Sequence, residues 1–173
     1  MHINPTNICV NRCKFCAFSR SKGEPGAYEM SIDDILHKAR GAEKNVRELH
    51  IVSGLHPDLP FTWYLDMLRA LKAEFPLIHI KAFTAVEIDY LSKLSGLSLH
   101  DTLIALRDAG LGSLPGGGAE IFDSAVRNTL CAEKISGTRW LEVIETAHRI
   151  GLKSNATMLY GHIETPEHRI DHL

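Results

Sequence analysis

LIHIKAF, residues 77–83, alternates along an extended strand: Ile78, Ile80 and Ala82 fall on one face, and His79, Lys81 and Phe83 on the other. Before it, residues 61–75 carry Tyr64, Leu68, Leu71 and Phe75 at helical spacing, and Pro76 closes that helix. After it, helices are expected over 85–95 and 99–109, the second with Ser98 and Asp101 as a capping pair. The same alternation continues outward. Residues 2–9 form a short strand that leads into a polar loop, 10–30, punctuated by Gly23, Pro25 and Gly26. Ser31 is an N-cap with Asp34 at the third helical position, and Ile32, Ile35, Leu36 and Ala39 place a helix over 32–45. Residues 47–53 form a second strand, with Leu49 and Ile51 on its apolar face and His50 opposite. A short strand at 111–114 ends in Pro115-Gly116-Gly117-Gly118, helices follow near 119–130 and 139–150, and 152–160 is a fifth strand.

Strand-then-helix alternation implies a parallel sheet with right-handed crossovers. In a β/α barrel the outward face of each strand packs against helices and is apolar, so polar strand residues are left for the lumen. His50, His79, Lys81, Asn155 and Thr157 are expected there, with Ala156 and Met158 facing out. The fold class is therefore α/β, a parallel β/α barrel. Five β/α units are legible in 173 residues, whereas a complete eight-stranded barrel takes about 250. The expectation is one partial-barrel domain over 1–173, part of a longer chain.

Composition narrows the function. With 45% hydrophobic and 23% charged residues the chain is of ordinary globular make-up. A net charge of -2 offers no basic excess to neutralise phosphates, so no nucleic-acid partner is expected. No apolar run approaches the roughly 20 residues that span a bilayer, and MHINPTNICVNRC lacks the apolar stretch of a signal peptide. The expected compartment is cytoplasmic, with no membrane association. There, cysteines serve as ligands, catalysts or small buried hydrophobes before they serve as disulfides.

Three of the four cysteines crowd into C-x-x-x-C-x-x-C, Cys9, Cys13 and Cys16, at the end of the first strand, where barrel active sites sit. Thiolates suit iron–sulfur clusters or zinc. Three thiolates hold three irons of a [4Fe–4S] cluster and leave the fourth open to a small molecule. Zinc normally takes four protein ligands in two separated pairs, and no second Cys/His pair stands at that spacing. Zinc and an unliganded loop remain the alternatives. Phe15 lies between the second and third cysteines, where an aromatic can shield a cluster and abut an adenine; Ala17-Phe18 extend that apolar cover or belong to the core.

Further candidates flank later strands. Gly54, in Ser53-Gly54-Leu55-His56-Pro57-Asp58, permits close backbone approach to a bound amino acid, and His56 either orients substrate or caps its loop. The glycine run 116–118 either cradles an anion at a helix start or only reverses the chain. Glu120, at that helix start, bonds ribose hydroxyls or merely suits the helix dipole. His162 and Glu164 lie beyond the fifth strand, near the same mouth. Glu87 and Asp89 are expected on an exposed helix start, and Cys131 as a small buried hydrophobe.

NICVNRCKFCAF, SGLHPDLPF, HIKAFTAVEIDYL, LPGGGAEIF and NATMLYGHIET together resemble the radical S-adenosylmethionine enzymes of the futalosine route to menaquinone. The string IKAFTAVEI is most similar to the aminodeoxyfutalosine synthase branch. Dehypoxanthine futalosine cyclases and the subunits of the deazaflavin-precursor (FO) synthases share the cysteine motif and the HPDL-type loop. The resemblance implies a radical S-adenosylmethionine synthase. Its 5′-deoxyadenosyl radical would add to the enol ether of 3-[(1-carboxyvinyl)oxy]benzoate, giving 6-amino-6-deoxyfutalosine, methionine and bicarbonate. It further implies a [4Fe–4S] cluster on Cys9, Cys13 and Cys16, with S-adenosylmethionine as co-substrate against Phe15, Ser53, Gly54 and Glu120. The partners implied are the aromatic enol-ether carboxylate and an electron donor such as flavodoxin or ferredoxin. His50, His56, His79, Lys81 and His162 are candidates for holding the anionic substrate, and no catalytic acid or base is identified. Members of the family usually carry two glycines where this chain has Ser53-Gly54, and they extend on both sides of it. A non-catalytic metal-binding fragment is the reading from another class.

Overall fold

The computed structural model describes residues 1–41 and 46–173. Five strands, β1 (His2–Ile3), β2 (Glu48–Ile51), β3 (His79–Ala82), β4 (Ser113–Leu114) and β5 (Lys153–Ser154), form one sheet in sequence order, every neighbouring pair parallel. Between them run α1 (Ile32–Arg40), α2 (Phe61–Glu74), α3 (Ala85–Ser95), α4 (Leu99–Ala109), α5 (Ser124–Cys131) and α6 (Gly137–Arg149), and α7 (Pro166–His172) follows β5. Sequential parallel order with helices at each crossover is the signature of a singly wound β/α barrel. This is the partial barrel that the strand alternation predicts.

The apolar faces of the strands account for the core. Ile3, Leu49, Ile51, Ile80, Ala82 and Leu114 are almost fully buried beneath the helical layer. On the other face the register lines up His2, His50, Lys81, Ser113 and Lys153 across the five strands. His2 and His50 lie 4.7 Å apart ring to ring, Lys81 Nζ is 3.1 Å from Glu48, and His79 Nε2 is 2.6 Å from Ser113 Oγ. A polar inner face is thus present. A second small cluster, Cys13, Ile121, Val126, Leu130 and Cys131, packs under the cysteine loop, which makes Cys131 the buried hydrophobe expected.

Helix starts follow their caps. Ser31 and Ser98 each accept from the backbone N–H three residues on, at 3.1 Å, as the sequence predicts. The end of the expected 32–45 helix, residues 42–45, lies outside the described residues.

Four details depart from the pattern. Phe83 does not face the lumen: its backbone is left-handed (φ 61), which breaks the alternation, and its ring is buried edge-on against Tyr64 at 5.8 Å. The fifth strand stops at Ser154, so 155–160 is irregular, and Asn155, Ala156 and Thr157 line one cavity instead of alternating. The first strand likewise ends at Ile3, after which Pro5 and the loop contacts take over. Helix α5 begins at Ser124 behind an Asp123 cap, so Glu120 precedes the helix in a left-handed turn (φ 49) and does not start it.

Candidate functional site

The loop after β1 is pinned from several directions. The Cys9 N–H donates to Arg20 O at 3.0 Å, Val10 N–H to Leu55 O at 3.0 Å, and Lys14 N–H to Leu130 O at 2.8 Å. Asn7, buried, reaches across to Gly26 O at 2.9 Å and receives the Tyr28 N–H at 2.8 Å. A polar loop is thereby held rigid by backbone groups that would otherwise be unpaired. The result sets Cys9, Cys13 and Cys16, all free thiols, on the wall of one cavity of about 210 Å³, with Phe15, Phe18 and Asn11 beside them.

Gly54 is the closest approach between this loop and β2. A Cβ there would fall 2.2 Å from Ile8 O and 3.0 Å from Cys9 Cβ, so any side chain would push the cysteine loop away. Ser53 and Gly54 both line the cavity. The facing wall comes from the start of α3 (Thr84, Val86, Glu87), from Gly117 and Gly118, and from Lys134. Gly118 (φ 85) lies so near Val86 that a Cβ would meet Cγ2 at 2.4 Å. Arg127, buried, fastens this turn: its guanidinium donates to the carbonyls of Gly118 and Ile121 at 3.2 Å each, and to those of Ala119 and Ile135.

The electrostatics are uneven. Burial pushes the Cys13 thiol up to about 11, against the pull of the Lys134 ammonium, so capture of a metal at Cys13 must release a proton. Burial also works against the charge of Lys134. The Glu120 carboxylate, by charge and hydrogen bond together, outweighs it and holds the lysine above its ordinary value. Lys134 Nζ also stands 5.1 Å from the Phe15 ring centroid, within cation–π reach.

The donor set fits a cluster. Three soft thiols, those of Cys9, Cys13 and Cys16, line one cavity. A cubane asks each thiolate for a different iron, whereas a tetrahedral zinc asks its ligands to meet at one point.

The other predicted residues separate. Phe15, Ser53 and Gly54 join the cysteines on the cavity wall, while Glu120 stands behind it, paired with Lys134. His56 is fully buried and caps its own loop: Nδ1 accepts from Asp58 N–H (3.1 Å) and Leu59 N–H (3.2 Å), and Nε2 lies 2.7 Å from Glu29, off the line of a good hydrogen bond. His162 stacks on Phe15 at 6.4 Å and sits 3.0 Å from Glu164, whose carboxyl the Gly161 and His162 N–H groups and Arg169 hold well below its usual range. His50 forms part of a second cavity, about 380 Å³, that shares Val52, Thr84 and Gly117 with the first. Lys81 and His79 follow it along the inner face, engaged with Glu48 and Ser113.

Glu87 and Asp89 correct an expectation, for both are buried. Glu87 belongs to the cavity wall; Asp89 pairs with Arg139 at 2.6 Å and Lys93 at 2.7 Å. Thr84-x-x-Glu87 is a capping-box pattern that sequence could have offered. Nothing local marks Lys134 or Arg127, which reach their places only through the turns around α5.

Residues 3–173 match the family model described as the Radical SAM superfamily. The chain is 46% identical over 174 residues to aminodeoxyfutalosine synthase of Thermus thermophilus, covering 100% of this chain and 47% of that protein. It is 49% identical to the Streptomyces coelicolor protein of the same name (99% and 45%). It is also 46% identical to the 5-amino-6-(D-ribitylamino)uracil–L-tyrosine 4-hydroxyphenyl transferase of Methanothermobacter thermautotrophicus (99% and 47%). The chain thus spans about half the length of the curated relatives it matches. Among solved structures, HydG, a maturase of the [FeFe]-hydrogenase, superposes with a TM-score of 0.69 at 15% identity over 96% of this chain and 36% of that one. Methylornithine synthase superposes at 0.66 and 17%, over 88% and 42%. Identities this low speak for the fold alone, and they agree with the partial barrel. Among the described residues no helix is long and apolar enough to cross a membrane.

Proposed function

Because this chain belongs to the radical SAM superfamily, whose enzymes use a [4Fe–4S] cluster and S-adenosylmethionine, we propose that it is the cluster-bearing part of an aminodeoxyfutalosine synthase. In this reading Cys9, Cys13 and Cys16 hold the cluster and leave one iron without a protein ligand. When bound, the cluster supplies the electron that splits the sulfonium of S-adenosylmethionine into methionine and a 5′-deoxyadenosyl radical. The chain's own residues shape where that happens. Gly54 gives the ligand's amino-acid end room beside Cys9, Ser53 and Phe15 complete that side, and Lys134 offers a cation to its carboxylate. Glu120 acts on the ligand only through Lys134, whose charge it sustains.

The acceptor, 3-[(1-carboxyvinyl)oxy]benzoate, is assigned to the neighbouring cavity, because Val52, Thr84 and Gly117 are common to both walls and the radical then forms next door to it. His50 and Lys81 supply the polar inner face toward its carboxylates, with Asn155 and Thr157 at the rim. The net conversion takes S-adenosylmethionine, the enol ether and water to 6-amino-6-deoxyfutalosine, methionine and bicarbonate. An outside electron donor such as flavodoxin or ferredoxin completes the set of partners.

The observation that carries this proposal is three free thiols and Gly54 on one cavity wall, in a chain 46–49% identical to two synthases. The test is anaerobic reconstitution with iron and sulfide, followed by reduction in the presence of S-adenosylmethionine and the enol ether. An adenosine-containing product with matching mass is expected; a colourless protein, or release of 5′-deoxyadenosine alone, defeats the proposal. A second reading, the transferase chemistry named for the archaeal relative, is favoured by its equal 46% identity. Supplying tyrosine and the ribitylaminouracil in place of the enol ether separates the two.

A further inference from the structure

Glu87 has a setting that neither a helix cap nor the cluster explains. It is 5% exposed and accepts four hydrogen bonds. Oε1 takes the Ser53 N–H at 3.0 Å and the Ser53 hydroxyl at 3.2 Å, and Oε2 takes the Thr84 N–H and hydroxyl at 2.8 Å each. All four donors are neutral. The other buried acids are answered differently: Asp89 by Arg139 and Lys93, Glu120 by Lys134, and Glu164 by Arg169. Among the described residues no cation pairs with Glu87. Among the described residues of the cavity wall the only other side chain of fixed charge is Lys134, and it is already committed to Glu120.

A buried carboxylate without a counter-charge is costly, and burial accordingly pushes the Glu87 carboxyl upward, against the pull of its four donors. That cost falls when a cation enters the cavity, because attraction in a poorly screened site is strong. Glu87 cannot turn away to water: its hydrogen bonds tie the end of β2 to the start of α3 and keep it in the wall.

We propose that Glu87 is the specificity-determining counter-charge of this cavity, selecting a sulfonium-bearing adenosyl ligand over its neutral thioether counterpart. The inference rests on the S-adenosylmethionine reading above and adds to it the residue that distinguishes the intact co-substrate from an uncharged relative. The two compounds share adenine, ribose and the amino-acid end, so only the charge at sulfur and its methyl group separate them. Ser53 fits the same picture: its hydroxyl is spent on Glu87 and does not crowd the ligand.

The test is equilibrium binding of S-adenosylmethionine and S-adenosylhomocysteine to anaerobically reconstituted protein, as wild type, Glu87→Gln and Asp89→Asn. Wild type is expected to prefer the sulfonium by roughly tenfold or more, as a desolvated charge allows. Glu87→Gln, nearly isosteric, should lose most of that ratio while keeping its iron content and its affinity for the thioether. Asp89→Asn, which neutralises another buried acid of the same helix that lies off the cavity wall, should keep the ratio. An unchanged ratio in Glu87→Gln, or an equal loss in Asp89→Asn, overturns the proposal. Should Glu87→Gln fail to fold, the wild type and Glu87→Asp decide: equal wild-type affinity for both compounds, or a ratio lost despite the retained charge, overturns it. If neither compound binds reconstituted wild type, the S-adenosylmethionine reading itself falls; if both bind equally, only the counter-charge does.

Discussion

Helix α1 opens on Ser31 and Asp34, and helix α3 on Thr84 and Glu87. In each, the cap side chain accepts the N–H three residues on, and the acid reaches back to the cap's own N–H, at 2.9 Å for Asp34 and 2.8 Å for Glu87. Asp34 stands in water with nothing beyond Ser31 to hold. Glu87 is buried, and its second oxygen grips Ser53 on the neighbouring strand end. The same local device therefore ends a helix in one place and joins two walls of a cavity in the other. What separates them is only what the fold brings against the acid. A surface box competes with water for its bonds, whereas a buried one has no substitute partner.

The comparison can be broken most forcefully at Glu87. Replacing it with Ala strands four donors, the buried N–H and hydroxyl of Thr84 and the half-buried pair of Ser53, and should cost about 4 kcal/mol, near the upper end of single-site effects. In thermal unfolding of the reconstituted protein this corresponds to a drop of roughly 10 °C. A loss no larger than that of a surface cap would show that the clip between β2 and α3 contributes little. Thr84→Ala comes next. It removes the cap acceptor of α3 and one of the donors on Glu87, so about 2 kcal/mol is expected from denaturant unfolding. Ser31→Ala, the matching change in water, should cost about 1 kcal/mol. Equal losses for the two threonine and serine variants would erase the distinction between the boxes.

The subtlest test is the dependence on pH, where the two acids have opposite signs. Hydrogen bonds from the Ser31 side chain and backbone lower the Asp34 carboxyl, so its contribution is present above 3.8 and is lost as pH falls through its folded value. Burial raises the Glu87 carboxyl, so its contribution is full below 4.5 and is lost as pH rises through its folded value. In unfolding curves taken across this range, Asp34→Asn should flatten the acid limb and Glu87→Gln the limb above it. Identical shifts in both variants would contradict the assignment.

Legibility in the sequence followed the range of the interactions. Leu49, Ile51, Ile80 and Ala82 announced their burial through period-two alternation, and Ser31 and Ser98 announced helix starts, because both signals depend on residues within a few positions. The cysteine triad was equally plain, since eight residues of chain hold all three thiols. Gly54 was named as a close approach, but only the fold shows that Ile8 and Cys9 are what approach it. Glu87 was misplaced on a solvent face because its pattern is that of an ordinary capping box. His56 was ambiguous between substrate contact and loop cap until its ring was found buried with two backbone N–H groups donating to it.

By itself, then, the chain's order of residues determined a parallel β/α arrangement and a trio of soft ligands in one loop, since these rest on alternation, caps and short spacings. Tertiary structure alone decided that Phe83 leaves the lumen, that Glu120 stands behind Lys134, that Arg127 fastens the glycine turn, and that Glu87 faces the cysteines' cavity. Each of those depends on burial and charge set by partners 6 to 34 positions away. Desolvation has no local signature: a carboxylate carries the same letter in water and in a wall.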